Sequence, residues 1–411
     1  MTATALQQEE HLPEAIVCKW CGKSFHYLKS HISMGRCESI PESAKGMDVD
    51  EVVKMYTTAF PDEPTISRTA LAKLNEKRAE KHSGEGKVAE ISAHPGYVGT
   101  VEYKTELVAA HELLGVTIKE LGTPRGKPLQ VTVNVNTPYP EFVPEAKKNY
   151  VYGDFDLIKD IFMMLEIGIP GYLWGHAGTG KSSLPTQLCA LLNRPLIRAQ
   201  HTASMEEAHV TGQILARDGS TYFEPGLLAL AMKNGWVYLA DEYDFAFPQI
   251  LGVYQPVLEG EPLIIKEATP DWRRITPHKR FAFIGTGNTN GSGDETGLYQ
   301  GTNIQNAANF SRFGIVSNVK YMSTKAEVNM LAEAGVIREY AEKMVKFANL
   351  VREGYEQHLI SQPIGPRELL LSAKIGMMRG DFSAGIEKSF INKLPSTSAQ
   401  AAREVVQKIF G

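Results

Sequence analysis

The chain has 411 residues, 43% hydrophobic and 22% charged, a globular composition long enough for two or three domains, which excludes a fibrous, collagen-like or wholly disordered protein. Lys and Arg number 43 against 47 Asp and Glu, a formal net charge of -4, so no global field draws the protein to nucleic acid or an anionic membrane. Four cysteines cannot scaffold a chain of this size with disulfides, and three of them, Cys18, Cys21 and Cys37, crowd at a spacing suited to metal, which points to a reducing compartment.

Residues 1 to about 15 are polar, with neither the basic start nor the apolar core of a signal peptide. From Cys18 to Cys37 there are four Lys/Arg and no Asp/Glu, with Trp20, Phe25, Tyr27 and Leu28: a compact, basic, aromatic mini-domain. Cys-x-x-Cys followed by a His/Cys pair offers the four ligands of tetrahedral zinc, without which so short a segment cannot fold. The favoured set is Cys18, Cys21, His31 and Cys37; His26 is the rival fourth ligand, because Cys-x2-Cys-x4-His-x4-His is also knuckle-like. The Cys-Gly-Lys-x-Phe and Leu-x-x-His elements resemble short single-finger modules, including those of Ros/MucR-type bacterial regulators. Lys19, Lys23, Lys29 and Arg36 could meet phosphates and Trp20 or Tyr27 could stack on bases, so nucleic acid is one candidate partner and protein docking another.

Further along, Val52, Val53, Tyr56 and Phe60 recur at helical spacing before Pro61, and Thr69 to His82 is rich in helix formers. His82 to Lys87 reads as a hinge, and residues 96–136 favour strands, with alternation in Gln130–Val135. Thr137 to Pro144 holds three prolines and reads as a connector. The most apolar stretch, Leu157 to Trp174, is broken by Lys159, Asp160 and Glu166, so no membrane span is expected and the predicted location is the cytoplasm.

After Tyr150, short apolar runs alternate with helical segments: Gly171–Trp174, Pro195–Arg198, Trp236–Ala240, Phe281–Ile284 and Phe313–Val316. Such spacing predicts an α/β fold, a parallel sheet covered by helices. From Thr324 helical periodicity dominates, as in Ala341, Met344, Val345, Ala348 and Val351. The expected domains are a zinc-finger-like module (1–40), a helical then β-rich adaptor (41–145), an α/β ATPase domain (146–320) and a helical lid (321–411).

Gly175-His176-Ala177-Gly178-Thr179-Gly180-Lys181-Ser182 follows a predicted strand and opens a predicted helix, the context that G-x-x-x-x-G-K-[ST] requires. Its glycines let backbone N–H groups surround the phosphates of ATP, Lys181 reaches the terminal phosphates and the Ser182 hydroxyl can ligate magnesium. About sixty residues downstream, the apolar run Trp236–Ala240 ends in Asp241 and Glu242. Asp241 is expected to serve magnesium and Glu242 to act as catalytic base, so hydrolysis rather than mere binding is implied. Phe281–Gly287 ends in Asn288, whose amide can sense the terminal phosphate; Arg312 and Arg367 are candidate charge stabilisers. Asp294 and Glu295 read as solvated loop acids, and Cys189 as a small buried apolar residue.

From about Tyr150 onward the sequence resembles the AAA+ ATPases of the MoxR-like group, and within it the cobaltochelatase ATPase subunits of the CobS type. The carriers are Gly175–Ser182, Asp241-Glu-Tyr-Asp244, Gln255-Pro-Val-Leu-Glu259 and Asn288-Thr-Asn-Gly-Ser-Gly-Asp-Glu-Thr-Gly-Leu-Tyr-Gln-Gly301. Val210 to Phe223, with its Asp-Gly turn, looks like the helix-2 insert of that group. The resemblance implies a hexameric ring with ATP at subunit interfaces, Asn288 as first sensor, Arg312 as an arginine finger acting on a neighbouring subunit and Arg367 as second sensor. It further implies a partner with a von Willebrand factor A domain (CobT-like). Three functions are expected in turn: a motor that remodels a partner protein or a subunit driving cobalt insertion into a corrin ring, both from the resemblance, or, from the cysteine segment, a nucleic-acid-binding module with ATP-gated assembly.

Overall fold

A computed structural model describes residues 13–33, 36–45, 47–61, 63–70, 102–217 and 219–411, and the chain divides into two units, residues 1–94 and 95–411. The remainder of the helix expected over 69–82, the hinge over 82–87 and the start of the expected strand region lie outside the described residues.

In the first unit, β1 (Ile16–Val17) pairs antiparallel with β2 (Ser24–Phe25), followed by α1 (Leu28–Ser33) and α2 (Val49–Ala59). The turn between the strands closes on Gly22, at φ +71°, whose N–H donates to Cys18 O at 2.8 Å; a side chain is disfavoured in that backbone region. Helix α2 starts where the Asp48 carboxylate accepts from the Asp50 N–H at 2.9 Å. Ile16, Cys18, Phe25, Leu28, Ile32 and Cys37 form one apolar core with Ala44, Val52 and Tyr56. The core thus runs past residue 40, since a zinc-knuckle segment alone has too little apolar surface to bury. Tyr56 is the keystone: its ring meets Trp20 edge-on at 4.9 Å, and its hydroxyl accepts from the Lys19 N–H at 3.0 Å.

The second unit opens with β3 (Thr105–Ala109), α3 (Ala110–Leu114) and β4 (Gln130–Asn134), the two strands forming an antiparallel hairpin with Thr105 opposite Asn134. Helix α3 interrupts the region expected to be strands. Ala-His-Glu-Leu-Leu contains no β-branched residue and stops at Gly115, at φ +66°, so local propensity and a left-handed cap outweigh the flanking alternation. The hairpin is fastened to α4 (Phe155–Ile167) where the Thr132 N–H and hydroxyl donate to Glu166 at 3.0 and 2.5 Å.

Five parallel strands build the central sheet: β5 (Gly171–Trp174), β6 (Leu196–Gln200), β9 (Val237–Asp241), β12 (Ala282–Gly287) and β13 (Ile315–Asn318), in the order β13-β5-β12-β9-β6. Alternate side chains serve opposite faces. Tyr172, Tyr238, Ala240 and Phe283 pack with α7 (Leu227–Asn234) in one cluster, while Leu173, Val237, Leu239 and Ile284 pack with α4 and α5 (Ser183–Leu191) in another, which also buries Cys189. Both faces are covered, as continuous apolar runs require. Between β6 and β9 lie α6 (Glu207–Thr211) and the hairpin β7 (Gly212–Arg217) with β8 (Ser220–Pro225), which the Asp-Gly turn predicts. A small antiparallel pair, β10 (Leu263–Ile264) with β11 (Arg274–Ile275), precedes β12. Helix α8 (Ala307–Phe310) leads into β13.

The lid consists of α9 (Thr324–Glu333), α10 (Arg338–Glu356), α11 (Pro366–Arg379), α12 (Phe382–Ser389) and α13 (Ser396–Phe410), packed around their own apolar core. Inside it Glu327, fully buried, receives both terminal nitrogens of Arg352 at 2.8 Å, and the Arg352 Nε donates to Ile364 O at 3.0 Å. Breaking such a pair from one side strands a buried charge. Glu327→Ala is therefore expected to cost about 3–5 kcal/mol in denaturant unfolding, and Glu327→Gln distinctly less. Among the described residues no helix is long and apolar enough to cross a membrane.

Candidate nucleotide site and cysteine cluster

The loop Gly175–Ser182 leaves the carboxyl end of β5 and enters α5, which aims the helix N-terminus into the turn. Glycine at 175 is obligatory: φ is +146° and a Cβ there would stand 2.4 Å from Val319 O. Lys181 is buried, its ammonium donating to Gly175 O at 2.7 Å, His176 O at 2.9 Å and Asn288 Oδ1 at 3.0 Å. Burial pushes its pKa down to about 8 against the pull of Asp244, Asp241 and Glu242. The Thr179 hydroxyl donates to His176 O at 2.9 Å and braces the loop from within.

Asp241 ends β9 beside this loop. Its Oδ1 accepts from the Ser182 hydroxyl and, at 2.6 Å, from the Thr286 hydroxyl; Oδ2 accepts from Arg198, with Nε at 2.7 Å. Burial raises the carboxyl, but these donors outweigh it and hold the group below its ordinary value. A hydroxyl and a carboxylate brought into contact at a phosphate loop are the hard oxygen donors that magnesium prefers, so the residues fit that ion.

Glu242 sits at φ +53°, ψ +43°, a left-handed conformation that strains a residue with a Cβ. Its carboxylate accepts from Gln200 Nε2 at 2.7 Å, and its N–H donates to Thr286 Oγ1 at 3.2 Å. Two residues on, buried Asp244 accepts from the N–H groups of Asn288 (2.8 Å) and Thr289 (3.0 Å) and from the Thr289 hydroxyl (3.1 Å), which fixes the end of β12 and so the Asn288 amide.

The lid meets the loop at the start of α11. A Cβ on Gly178 would contact Arg367 Cβ at 3.4 Å, and one on Gly365 would stand 2.8 Å from Ala177 O. Arg367 is thereby brought to the loop and Arg312 is not. Arg312 Nε donates to Glu259 at 2.8 Å and Nη1 to Ala308 O at 2.5 Å. Arg198, Gln200, Thr286 and Asp244 are site residues that motif reading leaves without roles. The available signal is Arg198-x-Gln200 at strand period 2, but only the β6–β9 register, with Gln200 opposite Asp241, makes it informative.

In the first unit the ligand atoms of Cys18, Cys21, His31 and Cys37 all lie within 4.8 Å of one another. Cys18 Sγ is 3.8 Å from Cys37 Sγ, and Cys21 Sγ is 3.3 Å from His31 Nε2. A tetrahedral zinc with Zn–S of ~2.3 Å needs sulfur atoms roughly 3.8 Å apart, so three thiolates and an imidazole fit it. His26 bonds Ser67 Oγ at 3.0 Å instead. The basic face expected here is compensated: Lys19 pairs with Glu63 at 2.8 Å, Lys29 with Asp50 at 2.6 Å, and Lys23 with Glu38. Residues 13–70 carry seven Lys/Arg and eight Asp/Glu, so the acids beyond Cys37 remove the field that phosphate binding would use.

The model of the AAA domain (dynein-related subfamily) matches residues 172–302. Aerobic cobaltochelatase subunit CobS of Sinorhizobium sp. is 32% identical over 249 residues, 58% of this chain and 74% of that protein. An uncharacterized protein of Staphylococcus aureus (strain NCTC 8325 / PS 47) is 23% identical over 265 residues, 62% of this chain and 96% of that protein. The Thermotoga maritima RuvB Holliday junction branch migration motor aligns over 65% of this chain and 72% of its own at a TM-score of 0.36 and 13% identity, too loose a likeness to bear on function. The parallel sheet, phosphate loop and helical lid define a P-loop ATPase of the AAA+ class, which binds ATP with magnesium and hydrolyses it. The chain belongs to the CobS family of these MoxR-like ATPases.

Proposed function

We propose that the protein is an ATP-driven motor that works as a ring of identical subunits, with hexameric symmetry as the family implies, and remodels a partner protein. The observation that carries this reading is the contact of α11 with Ala177 and Gly178, because a lid seated on the phosphate loop moves when the loop does. Lys181 and the loop N–H groups bind the phosphates. Ser182 and Asp241 would hold magnesium, which would supply positive charge against the phosphates. Glu242 takes the proton of the attacking water at its carboxylate, Asn288 orients that water, and Arg367 stabilises developing charge from the lid. Arg312, turned to Glu259 and away from its own loop, serves the ATP site of the adjacent subunit.

In the first unit Cys18, Cys21, His31 and Cys37 hold a structural zinc, in keeping with the reducing cytoplasm. The module docks a protein rather than nucleic acid, given its compensated charge. The partner class implied by the family resemblance is a von Willebrand factor A domain protein of the CobT type. Identity to CobS favours one second reading, cobalt insertion into a corrin ring, to be tested by adding this chain to a large chelatase subunit and that partner.

Subunit mixing tests the ring. Lys181→Ala and Arg312→Ala should each lose ATP turnover, and mixing them should restore part of it, since the first still supplies a finger to the intact nucleotide site of the second. No restoration on mixing would count against a shared site.

A further inference from the structure

We propose that Tyr299 is a positioning residue for ATP hydrolysis, holding the terminal-phosphate end of the loop Gly175–Ser182 through its hydroxyl. The inference rests on the ATPase reading and extends it to the glycine-rich loop after Asn288. The Tyr299 hydroxyl accepts from the Ala177 N–H at 3.1 Å and is hydrogen-bonded to His176 Nδ1 at 2.8 Å. One hydroxyl thereby holds two consecutive residues of the phosphate loop.

Which end of the loop this touches follows from Lys181. The lysine of such a loop is the group that reaches the last phosphates, and here its ammonium lies on the carbonyl oxygens of Gly175 and His176. Residues 175–177 therefore belong to the terminal-phosphate end, whereas the N–H groups entering α5 face the inner phosphates. Binding of ADP and ATP depends on the second set; the transition state of hydrolysis depends on both.

Tyr299 is itself held firmly. Asp294 Oδ2 accepts from the Tyr299 N–H at 2.7 Å, while Oδ1 accepts from the Thr296 N–H and hydroxyl at 3.0 and 2.9 Å. The far end of the segment is tied behind Glu242: the Asn303 N–H donates to Asp244 O at 2.7 Å, and its side-chain amide to Phe245 O and Ala246 O at 3.2 and 3.3 Å. Asp294 is thus an organising acid as well as a solvated one. His176 is fixed from the other side, stacked on Tyr321 at 5.8 Å and 4° and edge-on to Tyr355 at 5.7 Å, on the wall of a cavity of about 500 Å³. The loop end is clamped between the lid rings and Tyr299, the arrangement that fixed geometry in the transition state requires.

The test uses the full chain. Tyr299→Phe should lower kcat about tenfold, the worth of a positioning hydrogen bond, with KM for ATP and ADP affinity each within about twofold. Asp294→Asn, which loosens the same tyrosine without touching the phosphate loop, should reproduce part of the kcat loss, and the double variant should be no worse than Tyr299→Phe alone. Unchanged kcat, a rise in KM alone, or parallel losses of ATP and ADP binding with a lower melting temperature would each overturn the proposal. Lack of turnover in the unaltered protein would instead remove the ATPase reading beneath it.

Discussion

Glu242→Gln is expected to reduce steady-state ATP turnover by ~100- to 10,000-fold, the range that a positioned general base contributes, while ATP stays bound. The substitution is nearly isosteric and leaves an amide oxygen to accept from Gln200 Nε2, the bond that the carboxylate makes at 2.7 Å. The Glu242 N–H bond to Thr286 is a backbone contact and survives any side-chain change. The proposed phosphate contacts are other residues, namely Lys181 and the loop it closes, so a fluorescent ATP analogue should bind with its affinity little altered. The kinetic signature is a fall in kcat with KM unchanged or lower. A variant that keeps more than a tenth of normal turnover would remove Glu242 from the role of base. Because it would arrest the ring with ATP in place, the same variant is the natural bait for the partner.

The second large effect concerns stability. Cys18→Ser, or a zinc-selective chelator used with magnesium in excess, is expected to unfold residues 13–70 while the ATPase unit keeps its structure and its turnover. Structural zinc contributes ~10–16 kcal/mol in finger-sized peptides, far more than the small apolar core of Ile16, Phe25, Leu28, Ile32, Val52 and Tyr56 offers to a segment of this length. Hydrogen exchange reports the two units separately, with loss of protection confined to the first. Elemental analysis of the gently purified protein should give one zinc per chain; a value well below one would refute the site. His26→Ala should keep the metal, since that ring bonds Ser67.

The sheet was legible because a parallel strand covered on both faces must be apolar on both faces. Runs such as Gly171–Trp174 and Trp236–Ala240 carry that demand openly. The phosphate loop was equally plain, since its glycines answer to backbone geometry that no other residue tolerates. Strand adjacency was not legible. Arg198 and Gln200 reach Asp241 and Glu242 only because β6 lies beside β9, a pairing with no local signal. The charge of the cysteine segment misled for a related reason. Its cations were visible within one window, while Glu38, Asp50 and Glu63, which neutralise them, come from the turns and helix that fold back on it. Tyr299 lay in a quoted motif, yet its reach to the phosphate loop spans more than a hundred residues.

The left-handed backbone at position 242 sets stability against function. Glycine or asparagine would occupy that conformation with less strain, a relief of the order of 1 kcal/mol. A lineage selected for thermal robustness alone would drift toward those residues. On the role proposed for Glu242, the strain is a cost borne for the carboxylate, and stabilising substitutions found by screening this fold are expected to converge on the residue proposed to activate water.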